Sequence, residues 1–262
     1  MRWVAVVLAL GACGRVGFDP LPVTSDGSTP DIRPPDTIAP LGTPDLWFKL
    51  DEAAGTTLRD DGPLGMDATI TGTFLFTGTA LRITAPDTEA VTAHITGFRH
   101  VPLTMSAWVT PALRGDRTSA VYGHEPFPPN AVSTDIPNSD GMGLGVNVWS
   151  DGAAGSQLTV GGGGVANDAP TTRTFAVGTR YHVVVVYSTA GVDAYVDGAL
   201  AGSVSPVDFD DDQTAPLHIG VHNADNNYLT KRYFVGDLDD IRVYKLAATP
   251  AQIALLHAAG PE

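Results

Sequence analysis

Residues 234–245 of the chain are Phe-Val-Gly-Asp-Leu-Asp-Asp-Ile-Arg-Val-Tyr-Lys. Apolar and polar residues alternate here, with Ile241 and Val243 on one face, and this alternation predicts a β-strand that has one buried face. The same alternation places Asp239 on the face of Ile241 and Val243, where a carboxylate is unfavourable unless a cation or hydrogen bonds compensate it. This stretch therefore predicts a strand that closes a sheet and a compensated carboxylate at Asp239.

The composition favours strands and turns and disfavours a nucleic-acid partner. The chain has 262 residues, of which 29 are Gly, 20 are Pro and 17% are charged, and this balance favours β-structure over helices. The formal net charge of −14 argues against nucleic acid and against an anionic membrane surface, because both need a concentrated basic face. Only four of the 29 acidic residues are Glu, and the abundant Asp suits either turns or Ca²⁺.

The first thirteen residues have the features of an export signal that ends in a single cysteine. Arg2 precedes an apolar run at residues 4–10, which is far shorter than the roughly 20 residues that a membrane-spanning helix needs. Small residues then lead to Cys13, the one cysteine of the chain, so no disulfide can form within it. An ordinary secretory signal with an incidental Cys13 remains an alternative at this point.

The segment Leu10-Gly11-Ala12-Cys13 resembles the lipobox of bacterial lipoproteins. The resemblance implies that residues 1–12 are removed as a signal peptide and that Cys13 carries diacylglycerol. Two or three acyl chains would anchor the protein durably, because each buried CH₂ contributes about 0.8 kcal/mol. Gly14 stands where the family's sorting rule places an Asp for inner-membrane retention, so we expect a lipid-anchored protein of the cell envelope, in the outer membrane.

Residues 13–44 are predicted to form a tether between the lipidated Cys13 and a single folded domain at residues 45–262. Seven prolines lie between residues 14 and 44, with Ser and Thr between them and little apolar material. Such a segment cannot bury enough apolar surface to fold by itself.

Short strands separated by Gly and Pro are predicted throughout residues 45–262. Residues 183–186 are four consecutive valines, a run that is typical of a central strand covered on both faces. Residues 192–196 lead into Asp197-Gly198, which is a strong signal for a type I′ hairpin.

One helix is predicted near the end of the chain. Thr249 is a suitable N-cap, Pro250 suits the first helical position, and Gln252 completes a capping box. Gly260 is expected to end the helix. We expect this helix to cover an open end or an edge of the sandwich.

Taken in order, six segments of the domain resemble the laminin G-like branch of the concanavalin A-like lectin/glucanase superfamily. The segments are residues 46–57 with Asp60, 80–83, 103–111, 181–187 with 194–198, 217–220 and 236–244. The resemblance implies an all-β jelly-roll sandwich of two antiparallel sheets with one short C-terminal helix, used to bind glycans or extracellular proteins. A frequent Trp of the family is Tyr181 here, and the cysteine pairs of many relatives are absent, but neither departure affects the predicted fold.

No catalytic signature of this superfamily is found in the sequence. Its glucanases carry a Glu-x-Asp-x-x-Glu strand, and no such motif occurs in this chain; glycoside hydrolysis needs two carboxylates on either side of one bond. A Gly-x-Ser-x-Gly elbow is also absent. We therefore predict that the protein is not an enzyme, with an atypical polysaccharide-active enzyme as the remote alternative.

The resemblance also implies a structural calcium ion. In the glucanase relatives an Asp on the last long strand often holds Ca²⁺ together with carbonyls from near the N-terminus, and Asp239 occupies that strand position. The alternative is that Asp239 pairs with Arg82, with Arg242 or with backbone N–H groups. Oxygen ligands suit Ca²⁺, and the predicted ligands are Asp239, Asp51, Glu52 and Gly78.

Loops are the expected place for ligand contacts, since binding residues lie on loops more often than on strands. Aromatic, Asn and Asp side chains suit sugars, although turns demand the same polar residues and Trp149 could instead belong to the core. The predicted ligand-binding residues are Trp149, Asp151, His222, Asp225, Asn226 and Tyr228, and residues 124–140 form a third candidate loop. We predict a non-catalytic binder of carbohydrate or of a cell-surface partner; the alternative is an envelope protein–protein assembly module.

Overall fold

The computed structural model describes residues 40–85, 87–93, 95–96, 100–112, 130–133, 143–147, 157–161, 175–204, 214–222 and 232–262. The chain divides into two units, Met1–Thr37 and Ile38–Glu262, and all described residues belong to the second unit. The predicted signal peptide, Cys13 and most of the predicted tether therefore lie outside the described residues.

Strands predominate in the described part of the chain, as predicted. In chain order they are β1 Leu46–Phe48, β2 Thr57–Leu58, β3 Ala68–Thr71, β4 Phe74–Phe76, β5 Leu81–Ile83, β6 Glu89–Thr92, β7 Ile95–Thr96, β8 Leu103–Pro111, β9 Asn130–Ser133, β10 Gly143–Asn147, β11 Gln157–Gly161, β12 Tyr181–Ser188, β13 Gly191–Val196, β14 Ala199–Val204, β15 Thr214–Ala215, β16 His218–Ile219, β17 Val221–His222, β18 Arg232–Tyr233 and β19 Gly236–Tyr244. One helix, α1, spans Pro250–Ala259.

Two large antiparallel sheets contain most of these strands. Sheet A has the order β14-β13-β12-β8-β19-β5-β4, and β1 pairs with β19 beside this path. Sheet B has the order β11-β10-β9-β16-β6-β3-β2. Two short pairs, β15 with β7 and β17 with β18, accompany them. This arrangement confirms the predicted all-β jelly-roll sandwich with one short C-terminal helix.

The main core contains side chains from both sheets, and β12 shows how its sequence serves two faces. Val183 and Val185 belong to the main core, because alternate residues of a strand point to opposite faces of the sheet. Val184 and Val186 belong to a second cluster on the other face of sheet A. Burying each such side chain contributes roughly 1.5–3 kcal/mol. The run of four valines is therefore covered on both faces, as the sequence predicts.

The helix α1 supplies the cover for that second face. Thr249 is its N-cap in a full capping box with Gln252, and Gly260 ends it with a φ of 76°, all as predicted. Its buried residue Ile253 packs with Val184, Val186 and other members of the second cluster. The helix thus lies on the outer face of sheet A, the face turned away from the main core, and not over an open end. No helix among the described residues is long and apolar enough to cross a membrane.

The last described residues of the predicted tether lie against the domain. Leu41 packs on the second cluster, and Pro44 is buried.

The hairpin between β13 and β14 turns at Asp197 and Gly198, whose φ angles are 50° and 77°. Two consecutive positive φ angles are the mark of a type I′ turn, which confirms the predicted hairpin.

A β-bulge interrupts the strand that decides the fold. The register between β19 and β8 shifts between Asp239 and Arg242, so that Asp240 and Ile241 together lie opposite the single residue Ala107. Asp240 has a φ of 49°, in the left-handed region that Asp tolerates better than most residues. The extra residue reverses the order of faces beyond it.

The bulge corrects one sequence-based prediction. Leu238 before the bulge, and Ile241 and Val243 after it, all lie in the main core. Asp239 follows Leu238 directly and therefore lies on the outer face of sheet A. The prediction that Asp239 shares the face of Ile241 and Val243 is wrong, because strict alternation does not count the residue that the bulge inserts.

Candidate binding face

The outer face of sheet A carries a group of aromatic and charged side chains beside the helix α1. The cross-strand register aligns Asp239 of β19, Trp108 of β8 and His182 of β12 in one row. The next row aligns Trp47 of β1 with Arg242 of β19. We define the outer-face cluster as Trp47, Lys49, Trp108, Arg180, His182, Asp239, Asp240, Arg242 and His257.

Trp108 lies at the centre of the first row. Its ring centroid is 4.9 Å from that of His182 and 5.6 Å from that of His257, which the helix α1 contributes. The guanidinium carbon of Arg180 lies 5.2 Å from the Trp108 centroid, within the range of a cation–π contact. Trp108 is only half-buried, so part of an aromatic surface with a cation beside it faces solvent.

Asp239 is paired with an arginine that sequence reasoning did not consider. Arg180, whose side chain is 43% exposed, forms an ion pair and a hydrogen bond with Asp239 Oδ2. Burial raises the pKa of Asp239 to about 6, and the neighbouring Asp240 adds to this effect while Arg180 opposes it. The two arginines named as alternatives pair elsewhere: Arg82 with Asp237 and Arg242 with Asp240.

His182 and Ser106 form a buried hydrogen-bonded pair on the same face. Ser106 Oγ lies 2.9 Å from His182 Nε2, and burial lowers the pKa of His182 to about 3, with the positive charges of His257 and Arg242 contributing. Ser106 is 1% exposed, and His182 Nδ1 has no hydrogen-bond partner among the described residues. A nucleophile–base pair needs access to substrate and a third group that orients the base, so this pair is suited to structure.

The second row is organised by Asp240. Its Oδ1 accepts hydrogen bonds from Trp47 Nε1 at 2.7 Å and from Arg242 Nε at 2.8 Å. The Trp47 centroid lies 4.9 Å from the guanidinium carbon of Arg242 and 4.4 Å from the ammonium of Lys49. Trp47 is half-buried, which makes it a second partly exposed ring with cations beside it.

The predicted loop site lies almost entirely outside the described residues. Trp149, Asp151, Asp225, Asn226 and Tyr228 are not described. His222 ends the strand β17, and only its backbone belongs to the description. The loop site therefore stays a prediction.

The four predicted calcium ligands lie in different surroundings. Asp239 faces Arg180, Asp51 is exposed, and Gly78 is in the exposed turn between β4 and β5 with a φ of 86°. Glu52 Oε1 accepts a hydrogen bond from the Arg59 backbone N–H at 2.8 Å, while its Oε2 is enclosed and has no hydrogen-bond partner among the residues that the structure describes. No group of three or more His, Cys, Asp or Glu side chains in the described ranges could hold a metal ion. The described residues thus do not assemble the proposed site, and calcium binding stays a prediction.

The outer-face cluster was missed because its members are far apart in sequence. A signal was nevertheless available. In β1 the apolar residues Leu46 and Phe48 alternate with Trp47, and in β8 Ala107 and Val109 alternate with Trp108. A Trp on the otherwise polar face of two strands indicates either a covering element or a binding surface.

The comparisons with known proteins concern the fold of this domain. A family model described as the concanavalin A-like lectin/glucanases superfamily matches residues 82–254. Domain 4 of an extracellular arabinanase from Geobacillus stearothermophilus, solved in complex with arabinotriose, is 17% identical with a TM-score of 0.58; the match covers 82% of this chain and 98% of that one. No match was found among curated proteins.

Two further solved structures are similar over part of their own length. A Trypanosoma rangeli sialidase is 17% identical with a TM-score of 0.58, and the match covers 81% of this chain but 32% of the sialidase. The binding domain of botulinum neurotoxin serotype D is 9% identical with a TM-score of 0.56, covering 83% of this chain and 52% of that one. At these identities the likeness shows a shared fold.

Proposed function

Because the chain belongs to the concanavalin A-like lectin/glucanases superfamily, we propose that it is a non-catalytic glycan-binding protein whose outer-face cluster holds the sugar. The observation that supports this proposal most directly is the presence of two half-buried rings, Trp47 and Trp108, on one face of sheet A with Arg and Asp side chains beside them. Sugar sites combine an apolar platform with a few fixed polar groups.

The spacing of the two rings suits a short oligosaccharide. Trp47 lies on β1 and Trp108 on β8, with β19 between them. Two inter-strand spacings of about 4.8 Å separate the strands by roughly 10 Å. Each ring has its own charged neighbours, Arg242 and Asp240 for Trp47, and Arg180 and Asp239 for Trp108. The arabinanase domain, which shares the fold and was solved with arabinotriose, lends support to a sugar ligand.

A non-catalytic role is supported by the sequence and by the surroundings of the polar groups. The Glu-x-Asp-x-x-Glu motif is absent, and Ser106 is buried beside a neutral His182. The remaining enzymatic alternative, an atypical polysaccharide-active enzyme, would release reducing sugar, and the release would be lost when a single carboxylate is changed.

A second candidate is an envelope protein–protein assembly module. Leu200 on the edge strand β14 is 59% exposed and Leu255 on α1 is 44% exposed. Exposed leucines at a sheet edge are suited to contact with another protein. The botulinum neurotoxin binding domain is consistent with use of this fold for attachment.

A glycan array with the full-length protein tests the proposal. We expect binding to a defined glycan class, weakened roughly ten-fold by Trp108→Ala and by Trp47→Ala, because each change removes an aromatic platform. Leu75→Ala is a matched surface control, because Leu75 is 55% exposed on the edge strand β4 and is not a member of the outer-face cluster. Loss of binding in Trp149→Ala and Tyr228→Ala alone would place the site in the predicted loops.

A different outcome of the array would contradict glycan binding. An array without a glycan signal, together with recovery of a protein partner whose binding Leu200→Glu abolishes, would support the assembly module instead.

We also propose that Cys13 is lipidated and that the protein is anchored in the cell envelope, in the outer membrane, on the strength of the lipobox resemblance.

A further inference from the structure

Within the described part of the chain, a buried nitrogen of Arg242 on the outer face has no hydrogen-bond acceptor. The Arg242 side chain is 9% exposed, and its Nη2 is enclosed with no hydrogen-bond partner among the described residues. Its Nε is already bonded to Asp240 Oδ1, an oxygen that Trp47 Nε1 also uses. The side chain of Tyr244 on the same strand also interacts with the Arg242 guanidinium. Arginine stays protonated and presents five donors, so Nη2 still needs an acceptor that the described residues do not supply.

The side chain nearest to meeting that need is Glu262. Its Oε1 lies 3.7 Å from Arg242 Nη2, which is close enough for an ion pair but too long for a hydrogen bond. The Glu262 side chain is 58% exposed, and exposed ion pairs of this kind are weak and easily exchanged with solvent. Glu262 is therefore a loosely held carboxylate next to a buried, incompletely bonded guanidinium.

Two further groups around Arg242 define what could replace Glu262. The Trp47 ring, 4.9 Å from the guanidinium carbon, offers an apolar surface. The Lys49 ammonium, 4.4 Å from the same ring centroid, supplies a second cation, held at 3.4 Å by the exposed Asp61. An aromatic ring flanked by two cations suits a sugar ring that bears a negative charge.

We propose that Arg242, Lys49 and Trp47 form a subsite for the carboxylate of an acidic sugar, and that Glu262 occupies this subsite when no sugar is bound. The proposal rests on the glycan-binding function proposed above and specifies its ligand class as a carboxylate-bearing pyranose. The planar guanidinium matches a carboxylate better than it matches a neutral hydroxyl. Binding exchanges the Glu262 carboxylate for that of the sugar, so the net charge at Arg242 is unchanged.

The test compares oligogalacturonate with its methyl ester, which keeps the sugar ring and removes the charge. By calorimetry with the full-length protein, the acid is expected to bind more tightly than the ester. Glu262→Gln removes the competing charge, and we expect it to tighten binding of the acid roughly three-fold while leaving binding of the ester unchanged. Arg242→Lys is expected to weaken binding of the acid roughly ten-fold. The milder surface variant Lys49→Gln is also expected to weaken this binding.

Arg82→Gln is the matched control for loss of charge. Arg82 is an exposed cation on the same sheet, opposite Asp237 on β19, which lies five residues or roughly 15 Å from Arg242. It should leave both affinities unchanged. If acid and ester bind equally, or if Glu262→Gln does nothing to the acid, the subsite is overturned while glycan binding stands. If the array finds no glycan and neither probe binds, the proposed function itself fails.

Discussion

Asp239 and Asp240 are adjacent carboxylates that lie in different environments. Asp240 is 2% exposed and receives hydrogen bonds from Trp47 and Arg242, so its charge is met by buried partners. Asp239 is also buried, but Arg180, its cationic partner among the described residues, has a side chain that is 43% exposed. Burial therefore dominates at Asp239 and raises its pKa to about 6, whereas Asp240 has a structural role in joining β1 to β19.

The protein is expected to lose stability on acidification through His182. Burial holds the pKa of His182 at about 3 against a usual 6.5, so below pH 6.5 the unfolded chain binds a proton that the folded chain does not, and stability falls by up to about 1.4 kcal/mol per pH unit. Asp239 acts in the opposite direction: its pKa is about 6 in the folded chain against 3.8, so between pH 6 and 4 the folded chain binds the extra proton.

Denaturant unfolding at pH 7, 5.5 and 4 separates the two contributions. His182→Phe should flatten the loss of unfolding free energy on acidification, and Asp239→Asn should steepen it below pH 6. At pH 7 Asp239→Asn should be neutral or stabilising by about 1 kcal/mol, because it removes a buried charge whose compensation is incomplete. Identical pH dependence in all three proteins would contradict these assignments.

Calcium binding at the predicted ligands is tested most simply by thermal unfolding. A structural ion is expected to make EDTA lower the Tm and added Ca²⁺ restore it, because a ligand that binds the folded state alone stabilises that state. Glu52→Gln should abolish the shift in Tm, since Glu52 Oε2 is enclosed and finds no hydrogen-bond partner in the described ranges. A Tm that is the same in EDTA and in Ca²⁺ would rule the ion out.

At the scale of the element, the bulge in β19 determines what faces solvent and what faces the core. The strand pairs with β8 on both sides of the bulge, with a shifted register. The extra residue leaves Asp239 outside while Leu238 and Ile241 both lie inside. A φ of 49° at Asp240 is the local cost of this arrangement. Its hydrogen bonds to Trp47 and Arg242 offset that cost.

The two ion pairs of β19 are expected to differ sharply in their effect on stability. Asp240→Ala should destabilise the protein by about 3 kcal/mol, because it leaves the guanidinium of Arg242 buried without its carboxylate. Asp237→Ala should have a much smaller effect, since its partner Arg82 is 49% exposed. Asn also tolerates the left-handed backbone at this position, so Asp240→Asn measures the effect of losing the charge alone. Equal midpoints for the Asp240→Ala and Asp237→Ala variants in urea would contradict this difference.

At the scale of the whole molecule, sheet A separates two kinds of surface. One face packs against sheet B and forms the main core. The other is divided between the helix α1, seated on Val184, Val186 and Tyr195, and the outer-face cluster beside it. Sheet A is therefore the element on which the proposed binding site depends, and α1 contributes to both surfaces through Ile253 and His257.

The proposed envelope location is also a property of the whole molecule. Cys13→Ser in the full-length protein is expected to shift it from the membrane fraction to the aqueous fraction, because the acyl chains provide the membrane affinity. Detergent-phase partitioning of both proteins measures the shift. The control is Ser25→Ala, a change in the predicted tether, and this variant should stay in the membrane fraction. A Cys13→Ser protein that stays with the membrane would show that another contact anchors it.

The sequence by itself determined the elements whose signals are local. The β-branched run of β12, the type I′ turn at Asp197-Gly198 and the capping box at Thr249 each depend on neighbouring residues, and each is confirmed. The ordered segments of the superfamily were recognisable for the same reason, and the two antiparallel sheets were expected from that resemblance.

Only the tertiary structure decided the candidate site. Strict alternation placed Asp239 in the core, whereas the bulge, which depends on pairing with β8, placed it outside. Arg180 meets Asp239 across 59 residues and Trp47 meets Asp240 across 193. Contacts at such separations follow from strand order and register, which no local pattern specifies. The strand Gly236–Tyr244 was therefore predicted correctly as an element, whereas the surroundings of its carboxylates could be known only from the tertiary structure.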